Sequence, residues 1–384
     1  METPNLSTPP KADWSQLPKD LFDSILERLS SPLDHIRVSC VCNPWRSMAP
    51  KFHCWLILPC NYYDNSIRNG EEAVGFLGLV NLSDPNCEVH KLRLAEASGR
   101  LVHGSSAGWL VTLKPQGDIH LLHPFTRAHI QLPQLTLEAF PDLPSTFEGS
   151  KRRIHIDKAI VGLSSNGASA SSSSFETDGV VMVMCLKPKK LAFYRLGKDQ
   201  NWSSFEGYSG SYKDIAFYKD QLYGIRNRRH VFVACGFDGP SPTMEDVMEI
   251  PNHTIGTKYY LVESSGDLLL VLRHLGWVQH KTVNFSVFKL DVGGRNLVKV
   301  KNIGNRCLFL DRNTAVSLSA SDVPGCKGNH IYYIGTCFSG YSRQSFGCYD
   351  MGVFNLKDRA FIPLNYCNDR GLIMHPPIWY PTYP

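Results

Sequence analysis

The 384-residue sequence contains no apolar run approaching the roughly 20 residues a bilayer-spanning helix needs. The strongest candidate, Leu268 to Leu272, is closed at its ends by Asp267 and Arg273. No membrane partner is therefore expected. The opening METPNLSTPPKADW lacks the apolar centre of a secretory signal. Its polar, Pro-containing residues 1–13 are expected to form a disordered tail. Paired C-x-x-C knuckles are also missing, although there are 12 cysteines, so the spacing that zinc sites favour is not met. Several cysteines sit inside apolar runs such as VMVMCL and VFVACGF, where a thiol behaves as a small hydrophobe. A reduced intracellular protein of the nucleus and/or cytoplasm is the expectation.

Catalytic signatures are missing as well. The chain has no G-x-S-x-G elbow, P-loop, H-E-x-x-H or G-x-G-x-x-G. Its histidines are scattered. His120 and His123 flank Leu121 and Leu122; they read either as residues facing opposite ways or, for His123, as a support for the HPFTR turn. Cys40-x-Cys42 lies in a segment where packing accounts for both thiols. No cofactor, no metal and no catalysis are expected. The net charge of +5 is too mild to imply a nucleic-acid partner. Local basic clusters, Lys151-Arg152-Arg153, Lys187-Lys189-Lys190 and Arg226-Arg228-Arg229, lie beside turn-like sequence. They read as solvated loops, with nuclear import or phosphate binding as the alternative.

What the chain does contain starts near the N-terminus, in LPKDLFDSILERLSSPLDHIRVSCVCNPWR, Leu17 to Arg46. Leu21, Phe22, Ile25, Leu26 and Leu29 recur at helical spacing and predict one apolar face. Pro18 suits the first helical position, because its missing N–H would have no partner there. Ser30, Ser31 and Pro32 are expected to stop that helix. A second short segment carries Leu33, Ile36 and Val38. Asn43 reads as an N-cap and Pro44 as the opening of a third helix bearing Trp45. Three short helices in about 40 residues leave too much apolar surface wet to stand alone. Such a module should bury its remaining face against a partner or the rest of the chain.

The stretch resembles the F-box. Leu17, Pro18, Leu21, Ile25, Leu29, Arg37, Cys40, Val41, Cys42, Trp45 and Arg46 match it at fixed spacing. The resemblance implies that residues 14–52 bind a Skp-type adaptor and, through it, a cullin-based ubiquitin ligase. Leu17, Pro18, Leu21, Ile25, Leu29 and Trp45 are the implied contact residues.

Beyond residue 55 short β-rich runs alternate with Gly, Pro, Asn and Asp turns. Strands are predicted at Trp109–Leu113, Ile119–Leu122, Val180–Leu186, Leu222–Ile225, Val231–Cys235, Leu268–Leu272, Phe285–Leu290 and Ile331–Ile334. A weak strand–turn–strand repeat has Asn81, Leu122, Tyr194, Val233, Phe288 and Phe354 as rough anchors. A lone four-stranded unit leaves both faces exposed, and a ring of such units buries them. The expected fold is therefore mainly β: a β-propeller of about six blades over residues 55–384, preceded by a small all-α module. The terminal IWYPTYP should pair with the region around Trp55 to Leu58 and close the ring. Tyr208, Tyr212, Phe217, Tyr218 and Tyr223 should be mostly core.

HPFTRAHIQLP, YKDIAFYKDQLYGI, DMGVFNLKDRAFIPL and the terminal PPIWYP resemble the kelch-like β-propeller domain of a large plant F-box family. The pairing implies a substrate receptor of a ubiquitin ligase that holds an unknown protein target. Two other functions stay open: a propeller that binds or inhibits without a ligase, and a propeller carbohydrate binder or enzyme. Two insertions interrupt the repeat, residues 164–179 and 337–350. The first is Ser-rich and offers few anchors. The second carries Tyr341, Arg343 and Phe346, residue types that anchor interfaces, and is expected to touch the target.

Overall fold

A computed structural model of the chain describes residues 13–29, 32–48, 54–59, 75–82, 88–114, 117–140, 154–163, 179–186, 189–205, 211–226, 230–239, 241–251, 256–277, 281–323, 325–336, 349–364 and 377–381. The chain divides into two compact units, one over residues 1–52 with 383–384 and one over 53–382.

The first unit contains three short helices, α1 (Lys19–Leu26), α2 (Pro32–Ser39) and α3 (Asn43–Met48), after a 3-10 turn at Trp14–Gln16. Pro18 stands one residue before α1, with extended backbone. The helix also ends earlier than the Ser30–Pro32 stop predicts. Its tail tightens as Arg28 N–H donates to Ile25 and Leu29 N–H to Leu26, the i→i+3 pattern of a closing turn. Leu29 thus leaves the helix and packs against Phe22 and Leu26. Pro32 opens α2 instead of only stopping α1, and the missing N–H is harmless there. Asn43 is already helical, with Cys42 accepting the first bond from Arg46 at 2.9 Å.

The second unit is a ring of six β-sheets. Blade 1 takes β1 (Cys54–Pro59), β2 (Phe76–Asn81) and β3 (Val89–Arg93). Blade 2 is β4 (Leu101–Ser106), β5 (Trp109–Leu113), β6 (Ile119–Leu122) and β7 (His129–Gln131). Blade 3 is β8 (Ile156–Leu163), β9 (Gly179–Cys185), β10 (Lys190–Arg195) and β11 (Ser203–Ser204). Blade 4 is β12 (Tyr212–Tyr218), β13 (Gln221–Arg226), β14 (His230–Cys235) and β15 (Thr243–Glu249). Blade 5 is β16 (Lys258–Ser264), β17 (Asp267–Leu275), β18 (Thr282–Asp291) and β19 (Asn296–Val300). Blade 6 has five strands: β20 (Arg306–Leu310), β21 (Ala315–Ser319), β22 (His330–Thr336), β23 (Tyr349–Asn355) and β24 (Phe361–Ile362). The last strand, β25 (Ile378–Pro381), returns to blade 1 and lies inside β1.

All eight predicted strands are present: two have the predicted bounds, β9 is shifted by one residue, and five are longer by one to four residues. Middle strands such as GVVMVMC of β9 are buried along their whole length. Such strands are apolar on both faces because blades stack on both sides. Between blades 2 and 3 the packing is Trp109, Val111, Leu121, Val161, Val183 and Trp202. Between blades 3 and 4 it includes Met182, Phe193, Phe232 and Phe237. Tyr212 is buried, and Tyr218 and Tyr223 meet edge to face at 5.6 Å. Tyr208 lies outside the described residues.

The repeat anchors fall on equivalent strands. Asn81, Leu122, Tyr194, Val233 and Phe288 each lie on the third strand counted from the axis. Phe354 lies on the fourth, because blade 6 departs from the pattern. Its chain forms the β20–β21 hairpin first, then crosses back so that β22 runs parallel to β20. A parallel neighbour requires such a crossover.

The ring closes as the sequence predicts. Trp55 pairs with Tyr380, Leu56 with Trp379 and Ile57 with Ile378 in antiparallel register.

Candidate functional site

Two places in the chain put chemistry-bearing residues at a surface. The first is the helical unit. Phe22 and Leu26 are its buried centre, and Leu17, Leu29, Val38, Trp45 and Met48 pack around them. The Trp45 ring meets Phe22 edge to face at 5.3 Å. Its indole N–H donates to the Trp14 carbonyl at 2.8 Å. The side chains the sequence assigns to adaptor contact therefore divide by position. Leu17, Leu29 and Trp45 touch the module's own centre. Pro18 and Leu21 face solvent and Ile25 is half-buried. Leu21 is 51% exposed, and Val41 and Trp14 are 63% and 64% exposed. These three are the exposed large apolar side chains among the described residues of the unit. Trp14 was not legible as one of them, because it precedes the helical periodicity.

The second place is the axis of the propeller. The inner strands β25, β4, β8, β12, β16 and β21 follow one another around it. The tight turn between β20 and β21, Asp311 to Thr314, reaches inward and bonds to three other blades. The Asp311 carboxylate accepts from the Trp379 amide at 2.7 Å, and from the amides of Asn313 at 2.7 Å and Thr314 at 2.6 Å. Asn313 donates to the Ser105 carbonyl at 2.9 Å and accepts from the Ala159 amide at 2.7 Å. The Ser105 hydroxyl donates to the Trp379 carbonyl at 2.6 Å. A Cβ on residue 104 would collide with the Asn313 side chain, so the inward turn demands Gly104. Burial pushes the Asp311 carboxyl up to about 6 despite its donors.

Three of the inner strands carry a bulge at the same place. β4 has an extra residue at His103, β8 at Asp157 and β12 at Lys213. A bulge re-aims a side chain that regular pleating would turn elsewhere. Burial, with Arg312 and His155 nearby, pushes the His103 imidazole down to about 3. Its Nε2 is sealed from solvent and has no hydrogen-bond partner among the described residues. Nothing in the sequence marks these bulges, because an inserted residue leaves the composition of a strand unchanged.

The remaining sequence candidates resolve as follows. His123 Nδ1 accepts from the Thr126 amide at 3.2 Å, the turn-supporting role. His120 lies 2.8 Å from Asp118 and against the His129 ring. Among the described residues no three His, Cys, Asp or Glu side chains are grouped to hold a metal. Tyr341, Arg343 and Phe346 lie outside the described residues, as do residues 164–178 of the Ser-rich insertion.

The chain is thus a three-helix module followed by a closed six-bladed ring. Residues 79–355 match the KIB1-4 beta-propeller family, and the chain belongs to that family. Its relatives are plant F-box proteins. The chain is 25% identical to the F-box protein SKIP23 of Arabidopsis thaliana, over 90% of this chain and 89% of that protein. It is 26% identical to the F-box protein At2g26160 of the same plant, over 84% and 96%. It is also 26% identical to the Arabidopsis F-box only protein 7, over 90% and 88%.

Proposed function

We propose that the chain is the substrate receptor of a Skp–cullin–F-box ubiquitin ligase and catalyses nothing itself. The helical unit docks the Skp-type adaptor, the propeller holds a protein target, and a separate enzyme transfers ubiquitin. The chain then contributes effective concentration and orientation, which two binding faces on one molecule supply without new chemistry. The observation that carries this reading is Leu21, which stands 51% exposed on α1 beside the buried Phe22. On a free surface that position gains nothing from a leucine; against an apolar partner it does. Pro18, Ile25, Leu17, Leu29 and Trp45 complete the docking set, the last three by holding the shape of the face. The full-length relatives that bear the F-box name support the same reading. Tyr341, Arg343 and Phe346 are proposed as target contacts, and the nucleus or cytoplasm as the place of action.

The test is co-purification. The full chain and a chain beginning at residue 53 are expressed separately, and adaptor and cullin are measured in each. The full chain should capture both and the shorter chain neither. Equal capture by the two would remove the docking role from the helical unit.

A further inference from the structure

The axial mouth carries more positive charge than the fold uses. Arg312, at the tip of the inward turn, reaches Asp157 at 3.0 Å and His155 at 2.6 Å. Lys189 lies 3.7 Å from the same Asp157. One carboxylate on a bulge thus serves two cations from two blades. Beside it, Lys158 and Asp214 form a buried pair at 2.7 Å, so Asp214 is already neutralised. Lys213, on the next bulge, and Lys258, the first residue of β16, are exposed, and their ammonium groups make no hydrogen bond or ion pair among the described residues. Enough protein surrounds Lys189 and Lys258 that burial, together with the other cations, holds both ammonium groups below their ordinary pKa. Arg312 is among the cations that act on each. A lysine can be open to water and still lose hydration when it lines a recess.

We propose that this mouth, where blades 3 to 6 present Lys189, Lys213, Lys258 and Arg312, is an anion site that takes a phosphoryl group. Six cations are gathered here, Lys158 and Arg273 included, against the carboxylates of Asp157, Asp214 and Asp350, the last paired with Arg273 at 2.7 Å. A phosphate monoester carries about −1.5 to −2 charges at neutral pH and three acceptor oxygens. That matches several cations converging from different blades better than a single carboxylate does. Lysine serves as a point charge for phosphate, and Arg312 adds a planar fork. The two uncommitted lysines give up no partner when the anion arrives, and the repulsion from the other cations that acts on Lys189 and Lys258 is relieved. Of the basic clusters in the sequence, the one with a described residue at this site is Lys187-Lys189-Lys190, through Lys189; its sequence neighbour Lys190 belongs to strand β10. The site is built from the propeller alone, so it does not depend on adaptor docking. Its ligand is a phosphoryl group either on a protein target or on a small phosphorylated molecule.

The test uses the full chain and isothermal titration with two probes: inorganic pyrophosphate, and a short phosphoserine peptide beside its unphosphorylated twin. Wild type should bind at least one phosphorylated probe and not the unphosphorylated peptide. The K189Q/K258Q double variant should bind at least tenfold more weakly. Lys299→Gln, on the outer strand of blade 5, should bind as wild type does. Lys213→Gln gives a second reading from an exposed side chain, should the double variant melt early, and is expected to weaken binding at least threefold. Tighter binding of the peptide assigns the source to a protein, and tighter binding of pyrophosphate assigns it to a small molecule. The proposal is overturned if neither probe binds wild type, or if both the double variant and Lys213→Gln bind as tightly as wild type.

Discussion

Asp311 holds Trp379: its carboxylate accepts the Trp379 amide hydrogen at 2.7 Å across 68 residues of chain. That bond joins the turn of blade 6 to the terminal strand that completes blade 1. The Trp379 ring lies edge-on to Phe309 at 5.2 Å, and its indole N–H donates to the Leu310 carbonyl at 3.2 Å. Blade 6 therefore holds Trp379 through its backbone amide, its indole N–H and its ring.

Trp379→Ala should lower the unfolding free energy of the whole propeller by about 3–5 kcal/mol, the usual cost of removing a buried tryptophan. Deleting residues 373–384 removes the strand itself and should lower the melting temperature further. Scanning calorimetry checks both. A deletion variant that melts with wild type would mean that β25 contributes nothing to closure.

The axis also sets a pH dependence with two opposed parts. Asp311 titrates at about 6 in the folded chain and near 3.9 when unfolded. Between those values the folded chain holds a proton the unfolded chain has released, so this group's contribution to stability falls as pH rises from 4 to 6. His103 is pushed down to about 3 from an unfolded value near 6.5. There the unfolded chain holds the proton, and stability falls as pH drops from 6.5 towards 3. Over pH 4 to 6 the two slopes partly cancel. Relative to wild type, His103→Gln should gain stability as the medium is acidified, and Asp311→Asn should lose it. Each trend should approach about 1.4 kcal/mol per pH unit. Urea unfolding at pH 4, 5, 6 and 7 reads the two directions.

The buried Lys158–Asp214 pair ties blade 3 to blade 4, and Asp214 also accepts the Leu261 amide of blade 5 at 2.6 Å. Lys158→Met leaves that carboxylate buried without its cation and should cost about 3–5 kcal/mol. The double variant K158M/D214N keeps an acceptor for Leu261 without the charge, and should be more stable than Lys158→Met alone. Denaturant midpoints of the three chains decide it. A double variant less stable than the single one would mean that the uncompensated charge is not the cause.

In the helical unit, Trp45→Phe keeps a ring on Phe22 and loses the bond to the Trp14 carbonyl. About 1 kcal/mol of local stability should go with it. Trp45→Ala should cost several times more. Hydrogen exchange at the Phe22 and Leu26 amides of the full chain measures both. Equal protection in wild type and Trp45→Ala would place the tryptophan outside the module's support.

The parts legible in the sequence are those that repeat or leave a strand unpaired. Short apolar runs between turns located the strands, and five of the six anchors fall on equivalent positions. IWYP was readable as a closing strand because it follows the last repeat-like strand pair, and a ring closes when one end of the chain completes a blade begun near the other. The unreadable parts are made by contacts far apart in the chain. Asp311 to Thr314 reads as an ordinary polar turn, and only the assembled ring shows that it reaches Ser105, Ala159 and Trp379. The bulges at His103, Asp157 and Lys213 change where side chains point without changing the pattern of residue types. In the helical unit, spacing alone placed Leu21, Phe22, Ile25, Leu26 and Leu29 on one face. The short helix divides them, with Phe22 and Leu26 inward and Leu21 outward.

That division gives the most direct test of the central claim. Leu21→Asp places a charge on an exposed side chain, so the module should keep its fold, whereas at an apolar interface the same charge is costly to bury. Binding of a purified Skp-type adaptor to the full chain is measured by interferometry, with circular dichroism and melting recorded on the same samples. The account predicts at least a hundredfold loss of adaptor affinity in Leu21→Asp and in the L21D/I25D pair, with the propeller's melting temperature unchanged. An L21D/I25D chain that binds the adaptor as tightly as wild type would contradict the reading of this protein as a ligase receptor.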